Sequence, residues 1–95
     1  MPSIENVYQQ IGDFARARGA RRVLLFGSRA RGDALANSDI DIAVEGCPNF
    51  NAFEEDVQER LWSLLQIDVV NLDEHVSPAL RQDIQRDGKV LYEAI

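Results

Sequence analysis

Apolar residues near the start of the chain recur every three or four positions, which is the spacing of one helix face. Together they are Ile4, Val7, Tyr8, Ile11, Phe14 and Ala15. This spacing predicts an amphipathic helix from about Ser3 to Arg18. Ser3 suits the N-cap position, and Gly19 can end the helix in the left-handed conformation. The chain is therefore predicted to begin with a helix that buries one face.

Two short apolar runs follow, and both have the pattern of β-strands. Residues 23–26 (Val-Leu-Leu-Phe) are continuously apolar, as in a strand that is buried on both faces. Residues 40–44 (Ile-Asp-Ile-Ala-Val) begin with strict alternation of apolar and polar positions. Residues 29–32, which follow the first run, have room for one helical turn. We therefore predict two strands with a turn between them.

A second long helix is predicted over Asn51–Leu65, with one buried apolar stripe. The stripe consists of Phe53, Val57, Leu61 and Leu64. Asn51 with Glu54 resembles a capping box at the start of this helix. The acidic residues 54–56 fit a solvated first turn, where the helix dipole favours negative charge.

The remaining pattern completes a small mixed domain. A third strand is predicted at residues 67–70, a helix from Ser77-Pro78 to Gly88, and a short strand or extended tail at residues 90–92. This order of elements predicts an α/β or α+β fold in which helices cover a sheet. A length of 95 residues predicts a single domain over residues 1–95.

Composition excludes several classes of protein. Hydrophobic residues make up 45% of the chain and charged residues 27%, which is typical of a globular protein. The sequence contains no bilayer-spanning apolar run and no signal-peptide pattern. The single cysteine, Cys47, excludes an internal disulfide, and the single histidine, His75, excludes a multi-histidine metal site. We expect a cytoplasmic protein without membrane contact, in which Cys47 packs inside and His75 lies exposed in a loop.

Charge is distributed unevenly along the chain. The net charge of −6 argues against stable nucleic-acid binding. The segment Arg16–Arg31 nevertheless contains six bases and no acids, so it carries +6 and the remainder −12. One concentrated basic segment can hold a small polyanion. The alternative is a solvated basic helix end followed by a loop.

Three aspartates interrupt the predicted strands, and strands tolerate aspartate poorly. Asp39 and Asp41 are two residues apart, so their side chains point to the same face. Asp68 would lie about 5 Å to one side if the third strand is their neighbour. Carboxylates this close raise each other's pKa unless a cation lies between them, and oxygen ligands suit Mg²⁺. The alternative is an exposed position on the solvent face of a sheet, which explains Asp68 alone equally well.

The pair Gly27-Ser28 supplies a complementary corner. It follows the first predicted strand and opens a turn, where glycine allows close approach of a ligand to the backbone. The N–H groups at the start of a helical turn attract phosphate, and Arg29 and Arg31 add positive charge. The residues together predict a triphosphate site between N–H donors and metal-bridged carboxylates.

These residues resemble the signature of the nucleotidyltransferase superfamily that includes DNA polymerase beta and kanamycin nucleotidyltransferase. The signature is Gly27-Ser28, ten intervening residues, and then Asp39-x-Asp41. The longer stretch GSRARGDALANSDIDIAV and the ending GKVLYE are similar to the minimal nucleotidyltransferase (MNT) subfamily. The resemblance covers nearly the whole chain, with no departure at the catalytic positions.

The resemblance implies a nucleotidyltransferase core, that is, a mixed β-sheet flanked by helices. It implies that Asp39 and Asp41 bind two Mg²⁺ ions and that Asp68 binds the ion nearest the nucleophile and assists its deprotonation. Gly27 and Ser28 would contact the β- and γ-phosphates of ATP. Arg29 and Arg31 belong to the nucleotide-binding motif, although Arg31 can equally brace the loop.

The resemblance also implies a partner and an activity. Minimal members resemble the antitoxin half of two-component systems whose partner is a helical HEPN protein, and some transfer AMP from ATP to a tyrosine hydroxyl of that partner. The alternative is a non-catalytic, nucleotide-binding antitoxin that masks its HEPN partner. Almost every residue of a chain this size belongs to the catalytic core, so something else must position the acceptor; a second subunit is the simplest answer, and we expect a hetero-oligomer. Trp62 fits either an exposed interface anchor or the margin of the core.

Overall fold

The computed structural model describes residues 3–74 and 76–95. The helices are α1 (Ile4–Ala17), α2 (Ser28–Arg31), α3 (Phe50–Glu55), which continues as a π-helix (Asp56–Arg60), and α4 (Pro78–Asp87). The strands are β1 (Arg22–Phe26), β2 (Ile40–Glu45), β3 (Ile67–Asn71) and β4 (Lys89–Glu93). These bounds confirm the first predicted helix and the first three predicted strands, and they show that residues 90–92, predicted as a strand or an extended tail, belong to a strand. His75, which was expected to lie exposed in a loop, lies outside the described residues.

The four strands form one mixed sheet in the order β3-β2-β1-β4. Strand β1 pairs antiparallel with both β2 and β4, whereas β2 and β3 run parallel. The parallel pair requires a crossover connection, which α3 and the π-helix provide. Consequently the last residue of β1 and the first residues of β2 and β3 meet at one end of the sheet. We call this end the entry end.

Each face of the sheet has its own hydrophobic core. On one face, α1, α3 and the π-helix bury side chains such as Phe53 against the strands. On the other face, Ile84 of α4 packs with Ala43. Alternation along β2 places Ile42 on the α1 side and therefore Asp41 on the same side as Ala43. The predicted fold class, a mixed sheet flanked by helices, is confirmed.

The second predicted helix is shorter than its apolar pattern indicates. Its cap is Asn49 rather than Asn51, because the Asn49 side chain accepts a hydrogen bond from the Ala52 N–H. The α-helical part ends at Glu55, and the π-helix ends at Arg60. The backbone leaves the helix at Leu61 and is irregular up to β3, and Leu64, predicted to be in the buried stripe, is exposed.

Asp56 also differs from the prediction for this segment. We predicted a solvated side chain, but Asp56 is only 3% exposed. Its two carboxylate oxygens accept hydrogen bonds from Arg18, at 2.7 Å from Nε and 3.1 Å from the terminal nitrogen. Arg60 lies 3.3 Å from the same carboxylate. The buried ion pair ties the π-helix to the end of α1.

Two other expectations concern packing and membranes. Cys47 is buried, and burial raises the pKa of its thiol, as expected for a packing residue. Within residues 3–74 and 76–95, every helix is too short or too polar to cross a membrane.

Candidate functional site

The three predicted aspartates come together at the entry end of the sheet. Asp41 and Asp68 are directly opposed across the parallel strands β2 and β3. Asp39 immediately precedes β2 rather than lying within it, and its side chain is exposed. The third strand is therefore the neighbour of the second, as the prediction for Asp68 required.

The electrostatics of Asp41 show how close these groups are. Burial raises the pKa of Asp41 above its ordinary value, and the charge of Asp68 and a hydrogen bond with it raise the pKa further. Asp39 acts in the same direction, whereas the cation of Arg31 opposes them. Mutual repulsion of this kind is relieved either by a proton or by a bound cation.

Gly27 lies directly against Asp41. The residue before it, Phe26, is the antiparallel partner of Asp41. Gly27 has a φ of +74°, which favours glycine, and a Cβ atom at this position would collide with the Asp41 carboxylate. The glycine of the motif is therefore required for both its backbone conformation and its lack of a side chain.

Helix α2 turns the chain at the corner that Gly27 begins. It is one turn long and ends at Gly32, which has a left-handed conformation. The first N–H groups of a helical turn have no partners within the turn, so they are donors for an anion. Ser28 is the first residue of this turn, and its hydroxyl adds another donor. The predicted phosphate corner is thus next to the aspartates.

Arg29 braces the loop that follows. Its guanidinium donates to the Ser38 carbonyl, at 3.2 Å from Nε and 2.9 Å from a terminal nitrogen, and to the Ala36 carbonyl at 3.2 Å. Ser38 immediately precedes Asp39. The sequence offered Arg31 as the residue that braces the loop, but the structure gives these loop contacts to Arg29, whose guanidinium reaches the carbonyls of Ala36 and Ser38.

Arg31 makes ion pairs at the same end of the sheet. It lies 3.3 Å from Asp33 and 3.5 Å from Asp87 at the end of α4. Because it also lowers the pKa of Asp41, its positive charge is part of the site. The geometry therefore gives the two motif arginines different contacts: Arg29 binds loop carbonyls, and Arg31 pairs with Asp33 and Asp87.

The donor chemistry fits Mg²⁺, although the side chains are not arranged around an ion. Among residues 3–74 and 76–95, no three His, Cys, Asp or Glu side chains form a group that could hold a metal as they stand. Asp41 and Asp68 are already adjacent, and the exposed Asp39 side chain is free to turn towards them. Carboxylate oxygens alone are the ligands that Mg²⁺ prefers.

Three further residues support the site and were not predicted. Gln66 donates a hydrogen bond to Asp68 at 3.2 Å, and Asp87 pairs with Arg31. The Ser38 hydroxyl accepts a hydrogen bond from the Leu35 N–H at 2.8 Å. Gln66 could have been found, because residues two apart share one face of an extended chain. Asp87 and Ser38 depend on contacts between distant segments, which leave no local pattern.

Comparison with known proteins identifies relatives of this architecture. The family model described as "Polymerase beta, Nucleotidyltransferase" matches residues 9–94. A crystal structure of a toxin–antitoxin complex with AMP-PNP contains a chain that is 25% identical, with a TM-score of 0.70 over 92% of this chain and 73% of that one. No curated protein gives a significant match.

Two more solved structures have the same fold. A chain of the MntA–HepT toxin–antitoxin complex is 25% identical, with a TM-score of 0.65 over 93% of this chain and 71% of that one. A structure of the tri-AMPylated Shewanella oneidensis HEPN toxin in complex with MNT antitoxin is also 25% identical, with a TM-score of 0.64 and the same coverage.

Proposed function

This chain belongs to the polymerase beta nucleotidyltransferase family, and from that premise we propose that it transfers AMP from ATP to a hydroxyl group of a HEPN partner protein. We propose a tyrosine as the acceptor and the antitoxin of a toxin–antitoxin pair as the biological role. The similar complex of a tri-AMPylated HEPN toxin with MNT antitoxin supports this reading, as does the similar complex with AMP-PNP.

The adjacency of Asp41, Asp68 and Gly27 is the observation that carries the proposal. The carboxylates of Asp41 and Asp68 repel each other, and they lie next to the backbone turn at Gly27, whose N–H groups suit a phosphate. Few purely structural roles explain a half-buried carboxylate whose pKa is raised by burial and by the neighbouring charges of Asp68 and Asp39. A bound metal–nucleotide would relieve that repulsion.

Each site residue has a proposed role. Asp39, Asp41 and Asp68 would hold two Mg²⁺ ions, which neutralise the phosphate charge when bound. The backbone at Gly27 and Ser28 would bind the β- and γ-phosphates. Arg29 would keep Asp39 in place through the Ser38 carbonyl, and Arg31 would add positive charge beside the nucleotide.

The proposed transfer consumes no reactant besides ATP and the acceptor hydroxyl. The acceptor oxygen attacks the α-phosphorus, and the bond from that phosphorus to the β-phosphate oxygen breaks. Asp68 accepts the hydroxyl proton, AMP joins the acceptor oxygen, and pyrophosphate leaves. The protein mainly orients the two reactants and lowers the energy of the developing charge.

The assembly follows from the same reasoning. We propose that residues 1–95 act as one nucleotidyltransferase domain and form a hetero-oligomer with the HEPN protein in the cytoplasm. We propose no stable binding to nucleic acid and no association with membranes, in keeping with the net charge of −6.

Labelled ATP provides the decisive test. The chain, its HEPN protein and Mg²⁺ are incubated, and the intact mass of each protein is measured. An Asp39→Ala, Asp41→Ala double variant should lose transfer by about a thousandfold, because a metal site contributes several kcal/mol. The double variant Asp13→Ala, Asp83→Ala removes two exposed aspartates elsewhere and should transfer normally. Undiminished transfer by the first variant would refute the proposal.

The second candidate function is a masking antitoxin. In this alternative, the chain binds nucleotide without catalysis and masks its HEPN partner. Neutralisation that survives loss of Asp39, Asp41 and Asp68 together, with no AMP added to the partner, would favour this masking antitoxin.

A further inference from the structure

Three large apolar side chains are exposed around the entry end of the sheet. Leu35 is 72% exposed, Trp62 66% and Leu64 77%. Leu35 belongs to the loop between α2 and β2, and the other two belong to the segment that leads into β3. Isolated exposed leucines are ordinary, but several beside a groove indicate a surface that binds something.

A groove of about 160 Å³ adjoins these side chains. It is lined by Ile4, Val7, Arg29, Ala36, Ser63, Leu64 and Leu65. Arg29 connects the groove to the site, because its guanidinium binds the carbonyl of Ser38, the residue before Asp39. We call the groove and the exposed residues Leu35, Trp62 and Leu64 the Trp62 surface.

The backbone of Trp62 is fixed from α1. The Trp62 N–H donates to the Gln10 side chain at 2.9 Å, and the Trp62 carbonyl accepts from the same side chain at 3.3 Å. Asn6 in turn accepts from Gln10 at 2.9 Å. An exposed tryptophan on a held backbone loses little entropy on binding, which is the property of an interface anchor.

The chain that forms most of this surface is strongly acidic. Residues 33–74 contain eleven acids, and Arg60 is the only base. Glu59 is exposed three residues before Trp62, and Asp68 is exposed at the start of β3. An apolar surface with an acidic rim matches a partner surface with an apolar pocket and basic surroundings.

We propose that the Trp62 surface is the docking site for the basic face of the protein that carries the acceptor hydroxyl. This inference rests on the proposed transfer to a HEPN protein and adds where that partner binds. The surface lies on the α1 side of the entry end, whereas Asp41 points to the α4 side. Docking therefore leaves the carboxylates open to the nucleotide while holding the acceptor at the same end of the sheet.

The test measures the affinity of the full chain for the HEPN protein of its own genome by isothermal titration calorimetry. Trp62→Ala should weaken binding by about tenfold or more, and Trp62→Phe should retain most of it. Val90→Ala is the matched control, because Val90 is 54% exposed on the distant edge strand β4 and should bind like the wild type. Raising the salt concentration should weaken wild-type binding, since the rim is charged.

Each remaining outcome decides the question. Wild-type affinity in both Trp62→Ala and Trp62→Ala, Leu64→Ser would overturn the docking site, and so would an absence of binding by the wild-type chain. A wild-type dimer that Trp62→Ala makes monomeric would assign the surface to a second copy instead. Weakened binding by Trp62→Ala without any AMP transfer by the wild type would support the docking site and refute the proposed function.

Discussion

Gly27 and Asp41 occupy neighbouring positions that leave no room for a side chain at residue 27. Gly27 has a positive φ, and because Phe26 pairs with Asp41, a Cβ at residue 27 would collide with the Asp41 carboxylate. A phosphate corner built this way places backbone donors beside a carboxylate without a side chain between them. A metal–nucleotide is the kind of ligand that uses both.

At the residue scale, Asp41→Asn should stabilise the protein while abolishing transfer. Burial and the acidic neighbours raise the pKa of Asp41 in the folded protein. The folded state therefore favours the protonated side chain, whose stabilising contribution is full below the pKa of the unfolded chain and is lost as the pH rises through the folded pKa. At pH 7 the substitution removes that repulsion, and we expect a gain on the order of 1 kcal/mol, or a Tm rise of about 4–8 °C.

Thermal unfolding at several pH values checks this expectation. The difference between variant and wild type should shrink in acid, where Asp41 is protonated in both the folded and the unfolded chain. Mg²⁺ with a nucleotide should raise the wild-type Tm more than that of the variant. Asp13→Asn, at an exposed position on α1, serves as the control. A lower Tm for Asp41→Asn at pH 7 would mean that its carboxylate is structural.

The residues of the motif could be predicted from the sequence, but the contacts that each of them makes could not. Alternation of polar and apolar positions identified Asp39 and Asp41, and an aspartate in an apolar run identified Asp68. The different contacts of Arg29 and Arg31 depend on where the loop carbonyls and the end of α4 lie. Such contacts are set by tertiary structure, which a short sequence window does not contain.

At the element scale, the ion pair between Asp56 and Arg18 joins two helices. The hydrogen bond from Arg18 lowers the pKa of Asp56 in the folded protein. The charged Asp56 carboxylate therefore stabilises the fold above the pKa of the unfolded chain, and this stabilisation is lost as the pH falls through the folded pKa. We expect Asp56→Asn to lose about 1–3 kcal/mol of unfolding free energy at pH 7. The Arg18 side chain is one third exposed, so in the variant it can turn into solvent. That rearrangement would place the loss in the lower part of this range.

Urea unfolding at pH 7 and in acid measures this loss. The gap between Asp56→Asn and the wild type should narrow as the wild-type carboxylate becomes protonated. Glu55→Gln removes the adjacent exposed acid and should change stability by less than about 0.5 kcal/mol. Equal stability of Asp56→Asn and the wild type at pH 7 would contradict a stabilising role for the pair.

The strands were predictable because continuous apolar runs and strict alternation are local properties. The second helix was predicted too long because its apolar spacing continues to Leu64. The helical segment ends at Arg60 instead, and a long-range contact with Gln10 of α1 holds the backbone of Trp62 just beyond that end. Helix periodicity within one segment carries no information about this contact.

At the scale of the whole molecule, the distribution of charge limits the partners. Residues 33–74 contain eleven acids and a single base, and the net charge is −6. We therefore expect no binding to duplex DNA or single-stranded RNA stronger than about 100 µM at physiological salt. Fluorescence anisotropy with labelled oligonucleotides measures it, and micromolar binding that weakens steeply with salt would contradict the expectation.

The order of strands also belongs to this scale, and the sequence did not determine it. The final strand was predicted either as a strand or as a tail, and its place beside β1 follows only from pairing over more than 60 residues. The adjacency of β2 and β3 was a condition of the predicted site rather than a result of the pattern. Pairing between distant segments has no local signature, since any two apolar strands can form a ladder.

The π-helix gives the crossover an unusual sensitivity to its own length. The Leu61 N–H reaches back five residues to the Asp56 carbonyl, so this turn contains one residue more than an α-helix needs. Without that surplus residue, the chain beyond would rotate by about 100°. The Trp62 backbone would then lose its hydrogen bonds to Gln10. The side chains that follow would point in different directions until the chain regained the register of β3. In this segment the number of residues is therefore under as much constraint as their identity, and insertions or deletions should be rarer there than substitutions.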